Sequence, residues 1–334
     1  MDTIQIEYPT NLSDYALLDS GDGEKLETFS GYTVIRPDPR ALWQKSQSDD
    51  VWNQADATFS RTPHSRNWGS FNSGNEDPAL RDRVRFDGTW KIKRNPPNPW
   101  SFRFKDYSFL LRPTDFKHVG IFPEQAVNWE WMTTQINRCH PALDAGSQPA
   151  IKNPTGFRLG GRNDIHILNL FAYTGGATVI AAKTGAFVTH VDSVKSTISW
   201  ANENCRLNNI PPDHVRWIED DAYKFVTREG KREKLYDAII MDPPRFGRGA
   251  KGEVWKLEDD LPKLLKACKQ ILTPHPVFIL INAYTADLSS LVLSHLMHDL
   301  MKGFDGIITF GELATKEAST DRLLPQGIFA RWQH

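Results

Sequence analysis

From Ile165 onward, short apolar runs alternate with longer stretches of helical periodicity, and this alternation restricts the possible folds more than any other feature of the chain. Ile165–Phe171, Phe187–Val191, Val215–Ile218, Tyr236–Met241 and Val277–Ile281 read as buried strands. Ala177–Thr184, Val194–Asn208, Ala222–Glu229, Leu257–Leu272 and Leu288–Met301 read as the helices that follow them. Strands joined through helices pair in parallel, so the fold class is α/β: a mostly parallel sheet with helices on both faces. Gly306–Phe310 and Gly327–Arg331 follow without an intervening helix, which predicts an antiparallel hairpin at one edge and seven strands in all.

The first part of the chain is written differently. Residues 1–112 are rich in Trp, Pro, Asn and Ser, and carry short alternating pieces at Tyr32–Arg36, Trp90–Arg94, Phe102–Lys105 and Phe109–Arg112. They predict a small, mostly antiparallel β domain. Residues 113–137 form a connecting segment and a helix over Glu124–Ile136, with Pro123 placed to start it. Residues 138–164 carry Pro141, Pro149, Pro154, Gly146, Gly156, Gly160 and Gly161 without periodicity, and read as a flexible insertion or linker. Residues 165–334 are the α/β domain.

With 334 residues, 40% apolar and 24% charged, the chain has the composition of a globular protein. It contains no apolar run of the roughly 20 residues that a membrane span needs, and its start shows no secretory signal. Three scattered cysteines, Cys139, Cys205 and Cys268, argue against a disulfide framework or a thiolate zinc site, so no metal is expected and a cytoplasmic location is. A net charge of −1 excludes a uniformly basic nucleic-acid binder. Arg81, Arg83, Arg85, Lys91, Lys93 and Arg94, with Phe86 and Trp90 between them, nevertheless make a local stretch suited to tracking phosphate; a solvated strand face reads equally well.

In a doubly wound sheet, ligands sit beyond the carboxyl ends of the strands, so chemistry is sought there. After the first strand come Phe171-Ala172-Tyr173-Thr174-Gly175-Gly176, where two glycines permit a tight turn and the next helix start favours an anionic group. The loop departs from the G-x-G-x-x-G dinucleotide pattern. Asp192, after the second strand, can accept from both hydroxyls of a ribose, or cap a helix. Asp221, after the third, can face an adenine amine, or cap the next helix. Asp242-Pro243-Pro244-Arg245-Phe246, after the fourth, makes a rigid shelf: the acid can bind or deprotonate an amine, and Phe246 can stack on a planar ring. Arg245 and Arg248 suit phosphate.

Together these segments, from Phe109 to Trp332, resemble class I S-adenosylmethionine (SAM)-dependent methyltransferases, in particular the group around the bacterial large-subunit rRNA cytosine-C5 enzymes. The resemblance implies a Rossmann-like domain and SAM as cofactor. The SAM site would be made by Phe171, Tyr173, Thr174, Gly175, Gly176, Asp192 and Asp221, and the catalytic strand end by Asp242, Pro243, Pro244 and Phe246. Phe116–Gln125 is similar to a segment that closes over the cofactor in that group, which brings in Gln125. The group's catalytic cysteine follows the fifth strand; here that place reads Asn282-Ala283-Tyr284. An acceptor with its own lone pair, such as a base nitrogen, needs no covalent step. The expected function is methylation of a nucleobase, with ribosomal RNA as partner. Methylation of a protein or small molecule is a rival, and so is a non-catalytic RNA-binding protein that keeps the fold.

Overall fold

The computed structural model describes residues 3–10, 12–61, 88–139, 165–248, 254–284 and 288–334. They divide into two compact units: Met1–Tyr8, Glu124–Leu313 and Gln326–His334 form the larger, and Pro9–Pro123 with Ala314–Pro325 the smaller. The chain opens with β1 (Gln5–Glu7), which belongs to the larger unit.

The smaller unit is built from β2 (Tyr15–Gly21), β3 (Glu24–Phe29), β4 (Tyr32–Pro37), the single turn α1 (Asp49–Trp52), β5 (Ala57–Arg61) and β6 (Gly88–Ile92). These strands form a sheet in that order, antiparallel except for the β4–β5 pair. β7 (Ser101–Phe104) and β8 (Tyr107–Leu110) make a separate hairpin. Phe29, Tyr32, Trp100, Phe102 and Phe109 are buried aromatics of this unit. Of the basic stretch, Arg81, Arg83, Arg85 and Phe86 lie outside the described residues. Of the remainder, Lys91 is exposed, while Trp90 donates to the Thr114 carbonyl at 2.8 Å, Lys93 to the Asn53 carbonyl at 2.8 Å, and Arg94 pairs with Asp56 at 2.6 Å.

In the larger unit, a 3-10 turn at Pro123–Gln125 leads into α2 (Ala126–Cys139). Most of the proposed 138–164 insertion lies outside the described residues. The alternation then follows as β9 (His166–Leu170), α3 (Gly176–Lys183), β10 (Phe187–Asp192), α4 (Lys195–Leu207), β11 (Val215–Glu219), α5 (Ala222–Lys231) and β12 (Ala238–Met241). A short hairpin, β13 (Phe246–Arg248) with β14 (Val254–Lys256), precedes α6 (Leu257–Lys269). β15 (Phe278–Ala283), α7 (Ser290–Met301), β16 (Ile307–Lys316) and β17 (Leu323–Gln333) complete the chain.

The sheet order is β1-β16-β17-β15-β12-β9-β10-β11, parallel from β15 to β11, with β17 antiparallel to β15. Strand order reverses between β9 and β12, whose carboxyl ends lie side by side, with Leu170 opposite Met241. β12 and β15 are buried at every position, as strands covered on both faces must be. Their covering helices show why they form: α5 buries Ala222, Phe225, Val226 and Glu229, and α6 buries Leu257, Leu261, Leu264, Leu265 and Cys268, each set on one face at helical spacing.

The sheet has eight strands where the sequence predicts seven. The eighth is β1, which pairs in parallel with Gly311–Leu313 of β16. At three residues it is too short to show a period. Glycine is required opposite it, because a Cβ on Gly311 would lie 1.8 Å from the Gln5 carbonyl oxygen.

A buried polar network holds β1, α2, β15 and β17 together. Arg331 on β17 donates to Asn128 of α2 at 2.8 Å and pairs with Glu7 of β1 at 2.7 Å. The Asn128 amide donates to Gln125 at 2.7 Å and to Asn282 of β15 at 2.8 Å. Arg331→Ala leaves Glu7 and Asn128 without their donor, so it should destabilise the protein by about 3 kcal/mol. Urea unfolding of the two proteins at neutral pH measures the loss.

Candidate active site

The loop after β9 turns through left-handed backbone at three positions: Phe171 (φ 55°), Tyr173 (φ 49°) and Gly175 (φ 81°). The first two are non-glycine residues held against their steric preference, as happens where a ligand loop is shaped by its surroundings. Ala172 N–H is bound by the Val191 carbonyl at 3.1 Å, Tyr173 N–H by the Asp192 carboxylate at 2.8 Å, and Gly175 N–H by the Ala172 carbonyl at 3.0 Å. A Cβ on Gly175 would come within 2.8 Å of the Ala201 Cβ, so this position requires glycine twice over. Gly176 begins α3, and no side chain caps that helix. Thr174 is buried, its carbonyl taken by Asn204 at 2.9 Å.

Asp192 ends β10. Its Oδ2 accepts from Tyr173 N–H, and its Oδ1 from Val194 N–H at 2.9 Å and the Thr197 hydroxyl at 3.1 Å. Burial raises its pKa above the usual carboxylate value despite these donors. The Ser193 N–H adds a fourth interaction with this carboxylate. Asp220 and Asp221 divide their duties. Asp220 pairs with Arg228, while Asp221 caps α5 through Oδ1, which accepts from Lys224 N–H at 2.9 Å.

β12 ends at Met241, and Asp242-Pro243-Pro244 follows. The shelf is braced by Trp255 of β14, whose indole donates to the Pro244 carbonyl at 2.7 Å. The Phe171 ring packs on Trp255, 4.9 Å between centroids, so the first loop and the shelf share one support. Phe246 and Arg248 lie on β13, the Arg248 side chain outside the described residues. Arg245 lies 3.5 Å from Glu258, both of them exposed.

Asp242 Oδ1 is buried and has no hydrogen-bond partner among the described residues. Burial, and after it the charge of Glu124, hold this carboxyl at about 8 instead of 3.8. Glu124 is itself hydrogen-bonded to the Tyr284 hydroxyl, which accepts from Gln125 Nε2 at 2.7 Å. Burial, then Glu124 and Asp242, push the Tyr284 phenol well above its usual range, so it stays neutral. Gln125 Oε1 accepts from Asn128 at 2.7 Å and from Asn282 at 3.3 Å, which fixes the amide with its nitrogen towards Tyr284. Sequence reasoning brought Gln125 to this place but gave Glu124, Asn128, Asn282 and Tyr284 no role. The signal available was the polar Asn282-Ala283-Tyr284 run where a cysteine was expected.

No thiol stands in for that cysteine. Cys205 is buried in α4 and Cys268 in α6; burial raises both, Cys205 to about 12. Among the described residues, no helix is long and apolar enough to cross a membrane, and no group of three His, Cys, Asp or Glu side chains could hold a metal ion.

The fold and this set of strand ends define a nucleotide-type ligand site in a doubly wound sheet. A family model described as S-adenosylmethionine-dependent methyltransferase matches residues 158–293. The crystal structure of the SAM-dependent methyltransferase from Agrobacterium tumefaciens is 36% identical, with a TM-score of 0.80, over 98% of this chain and 93% of that one. The chain belongs to the SAM-dependent methyltransferases.

Two further relatives, both ribosomal RNA large subunit methyltransferase K/L, match shorter stretches. The Pseudoalteromonas translucida protein is 37% identical over 121 residues, 36% of this chain and 17% of its own. The Syntrophotalea carbinolica protein is 36% identical over 119 residues, 35% and 16% respectively. The matched stretch is thus about a sixth of each relative's length. SMU.776, solved in complex with SAH, shares the fold at 16% identity and a TM-score of 0.65, over 97% of this chain and 76% of that one.

The Asp242 carboxyl has a testable effect on stability. Its folded value lies above its unfolded one, so its contribution is fully present below about pH 4 and is lost as pH rises through about 8. Asp242→Asn should leave the melting temperature unchanged near pH 4 and raise it at pH 9, by ~3 °C or more. Scanning calorimetry across that range decides; a lower Tm at pH 9 would show that the fold needs the carboxylate.

Proposed function

We propose that this protein transfers a methyl group to a base nitrogen in RNA, with large-subunit ribosomal RNA as the acceptor. The observation that carries the reading is Asp242, a carboxyl whose buried Oδ1 has no partner, at the end of β12 beside the Phe171–Gly176 loop. The names of the two K/L relatives support ribosomal RNA. The polar Asn282–Tyr284 end of β15, in place of a thiolate, supports an acceptor that brings its own lone pair over a carbon that must first be activated.

The residues present fit SAM. The left-handed glycine and the uncapped start of α3 suit an anionic carboxylate. Asp192, at the end of β10, is placed for a ribose hydroxyl, and Asp221 keeps Oδ2 for the adenine side. Phe171, Tyr173, Thr174 and Gly176 complete the cradle, with Gln125 held by Asn128 and Asn282. When bound, SAM supplies an electrophilic methyl group on sulfonium.

The protein's part is placement and proton handling. Aligning acceptor and methyl donor can be worth about 7–11 kcal/mol. Asp242 accepts a hydrogen bond from the acceptor's N–H, and as its carboxylate it takes the proton that leaves the methylated nitrogen. Pro243 and Pro244 keep that carboxyl from swinging away. Phe246 stacks on the base, while Arg245 and Arg248 hold phosphate.

Calorimetry with SAM should show saturable binding to the wild type, and Asp192→Ala should weaken it at least ~10-fold, about 1.4 kcal/mol. Absence of binding at millimolar SAM would sink the reading. Tritiated SAM offered with total RNA or total protein from a deletion strain assigns the acceptor. Label in protein, or tight RNA binding without SAM binding, would favour the two rivals respectively.

Activity should rise with pH through a midpoint near 8, as the Asp242 carboxylate forms. Glu124→Gln removes the neighbouring charge and should lower that midpoint by about one pH unit. An unmoved midpoint would show that the ionisation seen in the rate is not that of Asp242.

A further inference from the structure

The smaller unit buries a cluster of charges that methyl transfer does not use. Glu27 on β3 is fully buried and takes Arg36 of β4 through two bonds, at 2.8 and 2.9 Å. It also accepts from the Tyr15 hydroxyl at 2.8 Å and lies 3.3 Å from the Lys25 ammonium. Although burial opposes it, Arg36 and Lys25 hold this carboxyl down at about 2. Asp38 takes Arg40 through two bonds of 2.9 Å and lies 3.7 Å from Lys25. Burial would raise Asp38, but Arg40 and Lys25 hold it well below its ordinary value. Both carboxylates are thus committed to their arginines and share one lysine between them.

Lys117 is the cation left over. Its ammonium donates to the Pro37 carbonyl at 3.1 Å and has no carboxylate within ion-pair distance among the described residues. Burial, then Lys25, with Arg36 and Arg40 adding and Asp38 opposing, lower it to about 7. The backbone presents it deliberately: Lys117 adopts φ 65°, in a turn where Thr114 N–H and hydroxyl bind the His118 carbonyl at 3.0 and 2.8 Å. Arg36 Nη1 reaches the Lys117 carbonyl at 3.3 Å.

Beside it, His118 Nδ1 is buried with no hydrogen-bond partner among the described residues. Burial, then Lys117, Arg36 and Lys25, hold that imidazole neutral, and no acid offsets them. Four cations therefore surround two carboxylates, with an unused imidazole nitrogen at the same place. Burying like charges without a counter-charge is costly, and a strained turn that does so asks for one. Lys117 and His118 are both half-buried, so the pair lies near the surface although His118 Nδ1 itself is covered.

We propose that Lys117 and His118, backed by Lys25 and Arg36, form a binding site for a phosphate group. A phosphate brings up to two negative charges and three strong acceptor oxygens, which matches the surplus of cations and gives a partner to an imidazole N–H. The site uses none of the side chains assigned above to SAM or to the acceptor, although Lys117 and His118 belong to the Phe116–Gln125 segment.

The test is NMR on the full chain with isotopically labelled lysine and histidine. The Lys117 ammonium is titrated in inorganic phosphate and in chloride at equal ionic strength. The expected result is a saturable upward move of the Lys117 titration from about 7 in phosphate only, together with a shift of the His118 ring signals. Lys117→Met should abolish the histidine response, and His118→Ala should weaken phosphate binding several-fold. A short RNA oligonucleotide forms the second arm. A response to RNA that phosphate competes away assigns the site to the nucleic-acid backbone; a response to phosphate that RNA does not reproduce assigns it to a free or terminal phosphate. Identical titrations in chloride, phosphate and RNA overturn the proposal. Because the decisive readout is made on the wild-type protein, a variant that fails to fold does not obscure it.

Discussion

The side chain of Asn128 has four hydrogen-bonding sites, and the larger unit is organised by how they are used. Its oxygen accepts from Arg331, while its nitrogen donates to Gln125 and Asn282. It is fully buried, so none of these bonds can be exchanged for water, and each fixes a different element: β17, the turn before α2, and β15. An amide is suited to this because it donates and accepts at once. The orientation of Gln125 follows from it, then that of the Tyr284 hydroxyl, and then the hydrogen bond to Glu124. The acidic group facing Asp242 is thus placed by a residue that never approaches it.

Two carboxylates at strand ends show how position divides chemistry. Asp192 and Asp242 both close strands of the same parallel sheet. Asp192 is met by two backbone N–H groups and a hydroxyl, which orient it for binding. Asp242 is followed by two prolines, which have no N–H to give, and faces another acid. Burial, and after it the charge of Glu124, make Asp242 a group able to hold a proton near neutrality, while the donors around Asp192 make it a fixed acceptor. Trp255 ties the two regions together, since one ring supports both Phe171 and the Pro244 carbonyl.

How far this was legible in the sequence depends on what faces inward. Strands β9 to β12 and β15, and the helices between them, announce themselves because their buried sides are mostly apolar and carry few charges. β2 and β3 do not: their inward positions include Asp19, Lys25 and Glu27, so charged residues interrupt the alternation that would have marked them as strands. The positions of the loop glycines and Asp192 at strand ends were readable because they follow from the strand pattern. Asp221 caps α5, the alternative the sequence left open. Glu124 and Tyr284 were not readable, since they lie far apart in the chain and only the folded network brings them together.

The pairing of β1 with β16 has a consequence for how the protein is made. Residues 5–7 find their partners at 311–313, almost the whole length of the chain away. That edge of the sheet cannot form on a nascent chain until residues 311–313 have been synthesised, and its closure carries the entropic cost of a very long loop. The β9–β12 region can collapse earlier from near neighbours. Until β1 docks, Arg331 lacks the Glu7 carboxylate, so the polar network that orients Gln125 is finished only when the first residues of the chain meet the last strands.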